Sequence, residues 1–554
     1  MSKRKTVIIG GVAGGATCAA RLRRLDSERE IIILERNDYI SYANCGLPYY
    51  IGNVIQNRGA LFLMSPEIME KRFQIDVRIK NEVLSIDKDK RIVLVKKLDT
   101  DEVYEESYDD LVISTGSTPL RPNIKGIESD KILTLWNIAD TDRIRKMVEQ
   151  DDVHKVAVIG GGFIGLEMAE NLHHQGLQVS LIEALDQVMS PIDIEMANIL
   201  HQNIRKNGID LLLGDGVASF EESNNQVLVK LQSGKVIDVD FVILSIGVRP
   251  NSILATNAGI KTNARGGIIV DSSLRTSDKN IYAIGDVIEV EDYIFKESTM
   301  IPLAGPANKQ GRILADILAG RSSLYKGTQG SSIVKVFDLT VASTGVNEKT
   351  LVKKGLKKGI DYESFIIVQN SHAGYYPGST PMTIKVLFSL DTKKILGAQI
   401  VGIDGVDKRI DTIGVVIRLN GTILDLKDLE LAYAPPYSSA KDPVNMVGFV
   451  AENILTGLVK IAEYNVVEKE PQAFLLDVRE RREVDMYSVP NALNVPLGEL
   501  RNNLNKLNKD DRIIIFCGIG VRAYTASRIL SQNGFKNVEV YPGGVRFYSI
   551  NYPR

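Results

Sequence analysis

The feature that most constrains this chain is a glycine-rich turn that occurs twice. Val7-Ile8-Ile9-Gly10-Gly11-Val12-Ala13-Gly14-Gly15 returns further along as Val156-Ala157-Val158-Ile159-Gly160-Gly161-Gly162-Phe163-Ile164-Gly165. Each copy is an apolar run, then glycines, then a helical pattern, the form of a βαβ nucleotide-binding unit. Glycines there let the chain turn tightly, let a pyrophosphate approach the backbone, and aim a helix N-terminus at its charge. In the second copy Gly160, Gly162 and Gly165 complete the Gly-x-Gly-x-x-Gly spacing around Phe163 and Ile164. In the first, Gly10 and Gly15 fit, Val12 holds the place of the middle glycine, and Ala13 and Gly14 fill the turn. An acidic residue closes the next strand of each copy, Glu35 and Glu183, where a ribose hydroxyl is accepted. A carboxylate at Glu183 repels a 2′-phosphate, so NADH is expected in preference to NADPH, with use of both left open.

Each module has a second, looser echo: a buried-strand pattern ending in Thr115-Gly116 in the first, and one ending in Ile246-Gly247 in the second. From about residue 330 the texture changes to alternating stretches such as 333–337 and 383–388, with helical patterns near 407–420 and 441–457. That combination suits an α+β domain on an antiparallel sheet. A polar break near Glu463–Gln472 precedes renewed alternation of strands and helices. The expected organisation is α/β: a first dinucleotide module over 1–150 plus 271–325, a second over 151–270, an α+β domain over 330–457, and a small α/β domain over 465–554.

The chain's 554 residues are ample for several cores, and 67 Lys+Arg against 69 Asp+Glu leave a formal charge of −2. No summed positive field exists to hold nucleic acid or an anionic membrane. No apolar run of about 18 residues appears, and Met1-Ser2-Lys3-Arg4-Lys5 leads into a strand without a secretory h-region, which reads as cytoplasmic. Three cysteines, Cys18, Cys45 and Cys517, are too few for a disulfide framework.

The two modules, with Thr276-Ser277-Asp278-Lys279-Asn280-Ile281-Tyr282-Ala283-Ile284-Gly285-Asp286, resemble the pyridine nucleotide–disulfide oxidoreductase family of flavoproteins over roughly residues 1–455. The resemblance implies FAD in the first module, NAD(P)H in the second, Asp286 at the ribityl chain of the flavin, and homodimerisation through the domain after residue 330. Larger members carry Cys-x-x-x-x-Cys, whereas Ser41-Tyr42-Ala43-Asn44-Cys45-Gly46-Leu47-Pro48-Tyr49-Tyr50 has one cysteine and resembles the single-cysteine branch of coenzyme A disulfide reductases. Cys45 would then act alone on CoA disulfide, CoA persulfide or polysulfide. A position just ahead of a helical segment from Leu47 is expected to lower its pKa. Cys18 sits inside a helical pattern and reads as structural.

By the same resemblance Tyr375 and Tyr433 face the cysteine of the partner subunit, with Tyr376 the close alternative to Tyr375. Cations for the ADP end of CoA would be Arg21, Arg24 and Lys71 or Arg72. Thr17, Ser41, Asn44, Asn308 and Lys441 are further contacts. None of the five histidines is assigned a catalytic role, and no metal is expected.

The last hundred residues resemble a rhodanese domain, the sulfurtransferase module. An apolar strand, Ile513-Ile514-Ile515-Phe516, runs into the six-residue loop Cys517–Arg522 and then a helix. Loop amides and the helix start form an anion nest around Cys517, to which Arg522 adds a fixed positive charge. A phosphatase of similar fold would need a longer loop. Fused to a flavin site, the loop suggests relay of sulfane sulfur from Cys517. The alternatives are an NADH oxidase or peroxidase cycling Cys45 through sulfenic acid, made less attractive by the lack of a histidine at the first turn, and a redox-sensing flavoprotein.

Overall fold

The computed structural model describes residues 4–553, so the first three residues of the basic start and Arg554 lie outside the description. The chain forms two compact units, one of residues 1–185 with 209–330 and one of residues 186–208 with 331–554.

In the first unit Lys5–Ile9 is the middle strand of a parallel sheet ordered Ile281–Ala283, Asp110–Ile113, Lys5–Ile9, Glu30–Leu34, Asp76–Arg78. A second parallel sheet repeats the plan as Asp210–Leu213, Gln178–Glu183, Lys155–Ile159, Phe241–Leu244, Ile132–Leu133. The inner strands Lys5–Ile9, Glu30–Leu34, Asp110–Ile113, Lys155–Ile159 and Phe241–Leu244 are apolar after their first one or two residues and buried along nearly their whole length, as strands covered on both faces require. Both glycine turns therefore fall at the carboxyl end of a central strand, where such sheets take ligands.

In the second unit five antiparallel strands run in the order Ser332–Val336, Leu339–Gly345, Ile395–Gly402, Pro381–Ser389, Tyr362–Asn370. The helices Val406–Arg418 and Pro443–Leu455 match the patterns expected near 407–420 and 441–457. The strand Pro381–Ser389 is buried except at its ends, and it carries Lys385 inward. Its ammonium bonds Asp193, Glu195 and Glu348, and Asp193 also accepts from Gln399 Nε2 at 2.6 Å. Burial, the largest influence, pushes the ammonium down, and the three carboxylates outweigh it and carry it well above its ordinary value. Residues 186–208 belong to this unit, although the chain on either side belongs to the other. Their helix, Ile194–Lys206, also bonds the C-terminal helix Gly544–Asn551, from Asn198 Nδ2 to Asn551 Oδ1 at 2.9 Å and from Gln202 Nε2 to the Ile550 carbonyl at 3.0 Å.

The rest of the unit is a parallel sheet ordered Leu493–Asn494, Phe474–Asp477, Ile513–Phe516, Val538–Val540. The chain ahead of the polar break already pairs with it: Val540 N donates to Lys460 O and Ala462 N to Val540 O, both at 2.9 Å. Among the described residues no helix is long and apolar enough to cross a membrane.

Candidate functional site

At the first turn Gly10 has φ +101°, and a Cβ there would lie 2.3 Å from Ser114 O; one on Gly15 would lie 2.0 Å from Gly10 O. The second turn repeats this, with Gly160 at φ +105° and a Cβ on Gly165 falling 1.8 Å from Gly160 O. Helix and strand thus approach as closely as glycine permits. Val12 stands at φ −97°, ψ −159°, extended backbone that valine adopts freely, so the departure at the middle glycine costs the turn nothing.

The helices Ala13–Leu25 and Phe163–His174 both begin without a side-chain cap, which leaves the amides of their first turns for an anion. Space beside Gly116 and Gly162 is open, with no atom within 4 Å of an added Cβ. Glu35 accepts from Gly11 N at 2.9 Å and Glu183 from Gly161 N at 2.7 Å and Leu185 N at 2.9 Å. Each carboxylate braces its own glycine turn, and its remaining lone pairs can accept from a ribose diol. Thr115 Oγ1 donates to Asn251 O at 2.8 Å, Gly247 turns at φ +120°, and Gly285 N donates to Gln310 Oε1 at 2.7 Å. Burial pushes the Asp286 carboxyl up, opposed by Ser117. These uncapped helix starts, open glycines and acidic strand ends fit two dinucleotides.

Cys45 lies in the 3-10 turn Asn44–Gly46, exposed, ahead of a helix that spans only Leu47–Ile51. The expected lowering of its pKa is not what the chain provides. The surrounding protein desolvates the thiol and pushes it up, and the charges of Glu167 and Asp286 push in the same direction. A five-residue helix has too little aligned dipole to offset them. Tyr49, on that helix, donates from its hydroxyl to Glu167 Oε1 at 3.2 Å. Glu167 belongs to the helix after the second glycine turn, and burial carries its carboxyl up to about 7. Gln175, the residue just after that helix, donates from Nε2 to Gly52 O at 2.8 Å, tying the cysteine segment to the second module. Sequence reading passed over Glu167; the visible signal was a carboxylate within the apolar start Phe163-Ile164-Gly165-Leu166. Cys18 is fully buried with its thiol pushed up to about 12 by desolvation, as suits a packing residue.

Of the suggested CoA contacts in this unit, Thr17 Oγ1 donates to Asn308 Oδ1 at 2.6 Å. Arg21 is held by Asp316 at 2.7 Å, so its charge is already matched. Arg24 lies over the Phe73 ring at 5.6 Å, and Lys71 and Arg72 are exposed in the last turn of the helix Pro66–Phe73. Ser41 takes φ +44° beside the exposed Asn44.

In the second unit the Tyr375 and Tyr433 hydroxyls lie 2.8 Å apart, and this bond raises the Tyr433 hydroxyl above its ordinary value. Tyr376 instead packs edge-on against His372. Buried Arg409 ties the two tyrosine segments together, donating to Ser371 O at 2.9 Å, Ser438 Oγ at 3.1 Å and Asp442 Oδ2 at 3.0 Å. Tyr433 and His372 border a cavity of about 670 Å³. Lys441 is exposed just before the helix Pro443–Leu455.

Cys517 follows its strand with 1% of its surface exposed and accepts from Gly520 N at 3.0 Å. The C-terminal helix turns the loop carbonyls away from the thiol, with Val545 N donating to Cys517 O at 2.7 Å and Arg546 N to Gly518 O at 3.1 Å. Gly544 makes this possible, since a Cβ there would lie 2.4 Å from Cys517 O. Arg522, expected as a fixed positive charge on the loop, is instead paired two-pronged with Glu483 at 2.6 and 2.7 Å. The Arg522 bond holds the Glu483 carboxyl down at about 2. Glu483 was not singled out from sequence, because it lies far from the loop along the chain.

Comparison with known proteins follows these divisions. Residues 4–311 match the Pyridine nucleotide-disulphide oxidoreductase family, residues 331–443 its dimerisation domain, and residues 462–549 a Rhodanese-like domain. A Coenzyme A disulfide reductase from Staphylococcus epidermidis is 38% identical over 449 residues, 81% of this chain and all of that protein. Among solved structures, reduced Bacillus anthracis CoADR-RHD superposes with a TM-score of 0.96 at 49% identity, covering 100% of this chain and 99% of that one. A NAD-Dependent Persulfide Reductase from A. fulgidus superposes with 0.93 at 35% identity, covering 98% and 99%. With the family match spanning more than half of its length and its relative aligned from end to end, this chain belongs to the pyridine nucleotide-disulphide oxidoreductase family and ends in a rhodanese-like domain.

Proposed function

We propose that this protein uses reduced nicotinamide nucleotide and FAD to reduce CoA disulfide and CoA persulfide or polysulfide at Cys45, with Cys517 delivering sulfane sulfur. The observation that carries the reading is an exposed cysteine in the first dinucleotide unit, the other cysteine of that unit being the fully buried Cys18, in a chain that also builds a cysteine loop of rhodanese type. The relatives named for CoA disulfide and persulfide reduction support it.

A bound flavin supplies two-electron transfer between the nicotinamide and a sulfur atom. Cys45 Sγ, as thiolate, attacks one sulfur of the substrate; a Cys45–sulfur bond forms, the S–S bond breaks, and the departing sulfur keeps its electron pair. Tyr433, bonded to Tyr375, is placed by family resemblance to give that sulfur a proton in the active site of a homodimer. Glu167, about half protonated at neutral pH, holds a further proton beside Tyr49. Over a cycle, NADH and one proton convert CoA disulfide to two CoA thiols, or CoA persulfide to CoA and hydrogen sulfide. Glu183 favours NADH, since its carboxylate would meet the 2′-phosphate of NADPH.

The test is anaerobic NADH consumption with CoA disulfide, CoA persulfide and polysulfide in the parent, Cys45→Ser and Cys517→Ser proteins. The expected result is loss of turnover with every substrate in Cys45→Ser, and loss with polysulfide alone in Cys517→Ser. Full turnover without Cys45, or turnover that requires oxygen, would overturn the reading.

A further inference from the structure

The Tyr375 and Tyr433 hydroxyls meet at 2.8 Å although the two residues lie on separate stretches of irregular chain, and such a meeting requires that both stretches be held in register. Resting on the reading of Tyr433 as the group that gives a proton to the departing sulfur, we propose that Arg409 is a positioning residue for that transfer, setting the tyrosine pair through the backbone that carries it.

Neither tyrosine is fixed by its own packing, since Tyr375 is 76% and Tyr433 46% exposed. Tyr375 lies between the strands Tyr362–Asn370 and Pro381–Ser389, and Tyr433 lies in the stretch ahead of the helix Pro443–Leu455. A reacting constellation of this kind works only when its members are held to about 0.5 Å. Arg409 supplies the anchor from the helix Val406–Arg418. Its Nη2 donates to Ser371 O on the first stretch at 2.9 Å, and on the second to Ser438 Oγ at 3.1 Å and Asp442 Oδ2 at 3.0 Å.

Short turns lead from these anchors to the phenols. Ser371 N donates to Thr380 O at 2.7 Å and Tyr376 N to Ala373 O at 2.9 Å, so Tyr375 sits inside a tight turn. Just after Tyr433, Tyr437 N donates to Ala434 O at 2.9 Å, and Ala373 N joins the two stretches by donating to Ser438 O at 3.0 Å. Asp442 Oδ2 also accepts from Ser438 Oγ at 2.6 Å, while its other oxygen accepts from Val444 N at 2.9 Å and caps the helix Pro443–Leu455. Gly405 makes room for the guanidinium. It turns at φ +71°, and a Cβ there would lie 2.2 Å from Arg409 Nη1, which donates to Gly405 O at 3.2 Å. Arg409 and Asp442 are both buried, and a buried ion pair is a poor source of net stability because desolvation offsets much of its attraction. What this pair supplies is one fixed arrangement of the two tyrosine stretches.

In the experiment, full-length flavoprotein reduced with one equivalent of NADH is mixed with CoA disulfide, and release of the first thiol is timed per bound flavin. The comparison substrate is the mixed disulfide of CoA with thionitrobenzoate, whose thiolate is weakly basic and departs without a proton. With either substrate Cys45 Sγ bonds the CoA sulfur, the S–S bond breaks, and the departing sulfur keeps the electron pair. Arg409→Lys keeps the charge beside Asp442 but ends short of the Nη2 position, and Arg409→Met combined with Asp442→Asn removes the pair without leaving a buried charge alone. Release from CoA disulfide should slow several-fold in the first variant and about 10-fold or more in the second. Release from the mixed disulfide should slow by less than about 2-fold in both. Tyr433→Phe should show the same selectivity, and adding Arg409→Lys to it should slow release no further. Should the paired substitution fail to fold, Arg409→Lys alone decides. Equal slowing with both substrates, no slowing with either, or slowing that multiplies in the variant combined with Tyr433→Phe would overturn the positioning role while leaving Tyr433 a proton donor. Release from CoA disulfide at the parent rate in Tyr433→Phe would overturn the reading of Tyr433 and this inference with it.

Discussion

Glu167 is a carboxyl that the fold keeps at a cost, and replacing it should expose that cost. Its value of about 7 against an ordinary 4.5 comes first from burial, partly offset by the Tyr49 bond and reinforced by Glu170. A carboxyl whose folded value is raised contributes most stability below about pH 4.5 and loses it as pH climbs through about 7. The difference corresponds to about 3.5 kcal/mol once the group is ionised in both states. Glu167→Gln keeps an oxygen for the Tyr49 hydroxyl and removes the titration. Its advantage over the parent should grow from about 1.5 kcal/mol at pH 5.5 to about 3.5 kcal/mol at pH 8.5. The assay is urea unfolding followed by the protein's only tryptophan, Trp136, which lies in the same unit as Glu167. The same substitution removes one of two carboxylates that oppose the Cys45 thiolate, so alkylation of Cys45 by iodoacetamide should move to lower pH. A gap between variant and parent that stays constant from pH 5.5 to 8.5 would refute the reasoning.

Lys385→Met leaves Asp193, Glu195 and Glu348 crowded without their cation, and should cost about 3 to 5 kcal/mol at pH 7. Those carboxyls would then be raised in the folded state, so the loss should deepen toward pH 8.5 and shrink toward pH 5, as read by denaturant unfolding. His201 accepts from Val188 N at 3.2 Å and is held down at about 4 by burial and Arg205. Its neutral form therefore stabilises fully above about pH 6.5, and about 3 kcal/mol is lost as pH falls through 4, a loss that His201→Gln should remove from the unfolding curves. Gly165→Ala would drive a Cβ to 1.8 Å from Gly160 O and 2.9 Å from Ser245 Oγ, so NADH affinity should fall at least 10-fold while the flavin spectrum persists; unchanged binding in a titration would count against the close approach described for the second turn.

Much of this architecture was legible because the informative interactions are local. A glycine turn between Ile9 and Ala13, or a cysteine loop between Phe516 and Arg522, is specified within a dozen residues, and the structure places each between a strand and a helix. The alternating run at 383–388 was read as a strand of an antiparallel sheet, and it is one. What escaped was set by distant partners. Glu167 meets Tyr49 from another module, Glu483 meets Arg522 across the rhodanese-like domain, and Arg409 reaches two tyrosine segments at once. The expectation for Cys45 failed for a related reason. Only five residues of helix follow it, and the burial that chiefly pushes its thiol up, with the carboxylates that add to it, is supplied from elsewhere in the chain.

The short segment 186–208 has a consequence for how such a protein can be inherited or taken apart. A gene fragment beginning at residue 331 would carry Lys385 and Glu348 but leave behind Asp193, Glu195 and the helix whose Asn198 and Gln202 bond the last turn of the chain. Modularity seen along the sequence is therefore not modularity of folding. Recombination that exchanged the C-terminal half between relatives would have to exchange this distant stretch with it, so covariation between 193–202 and positions 385 and 551 is the trace such a constraint would leave in a lineage.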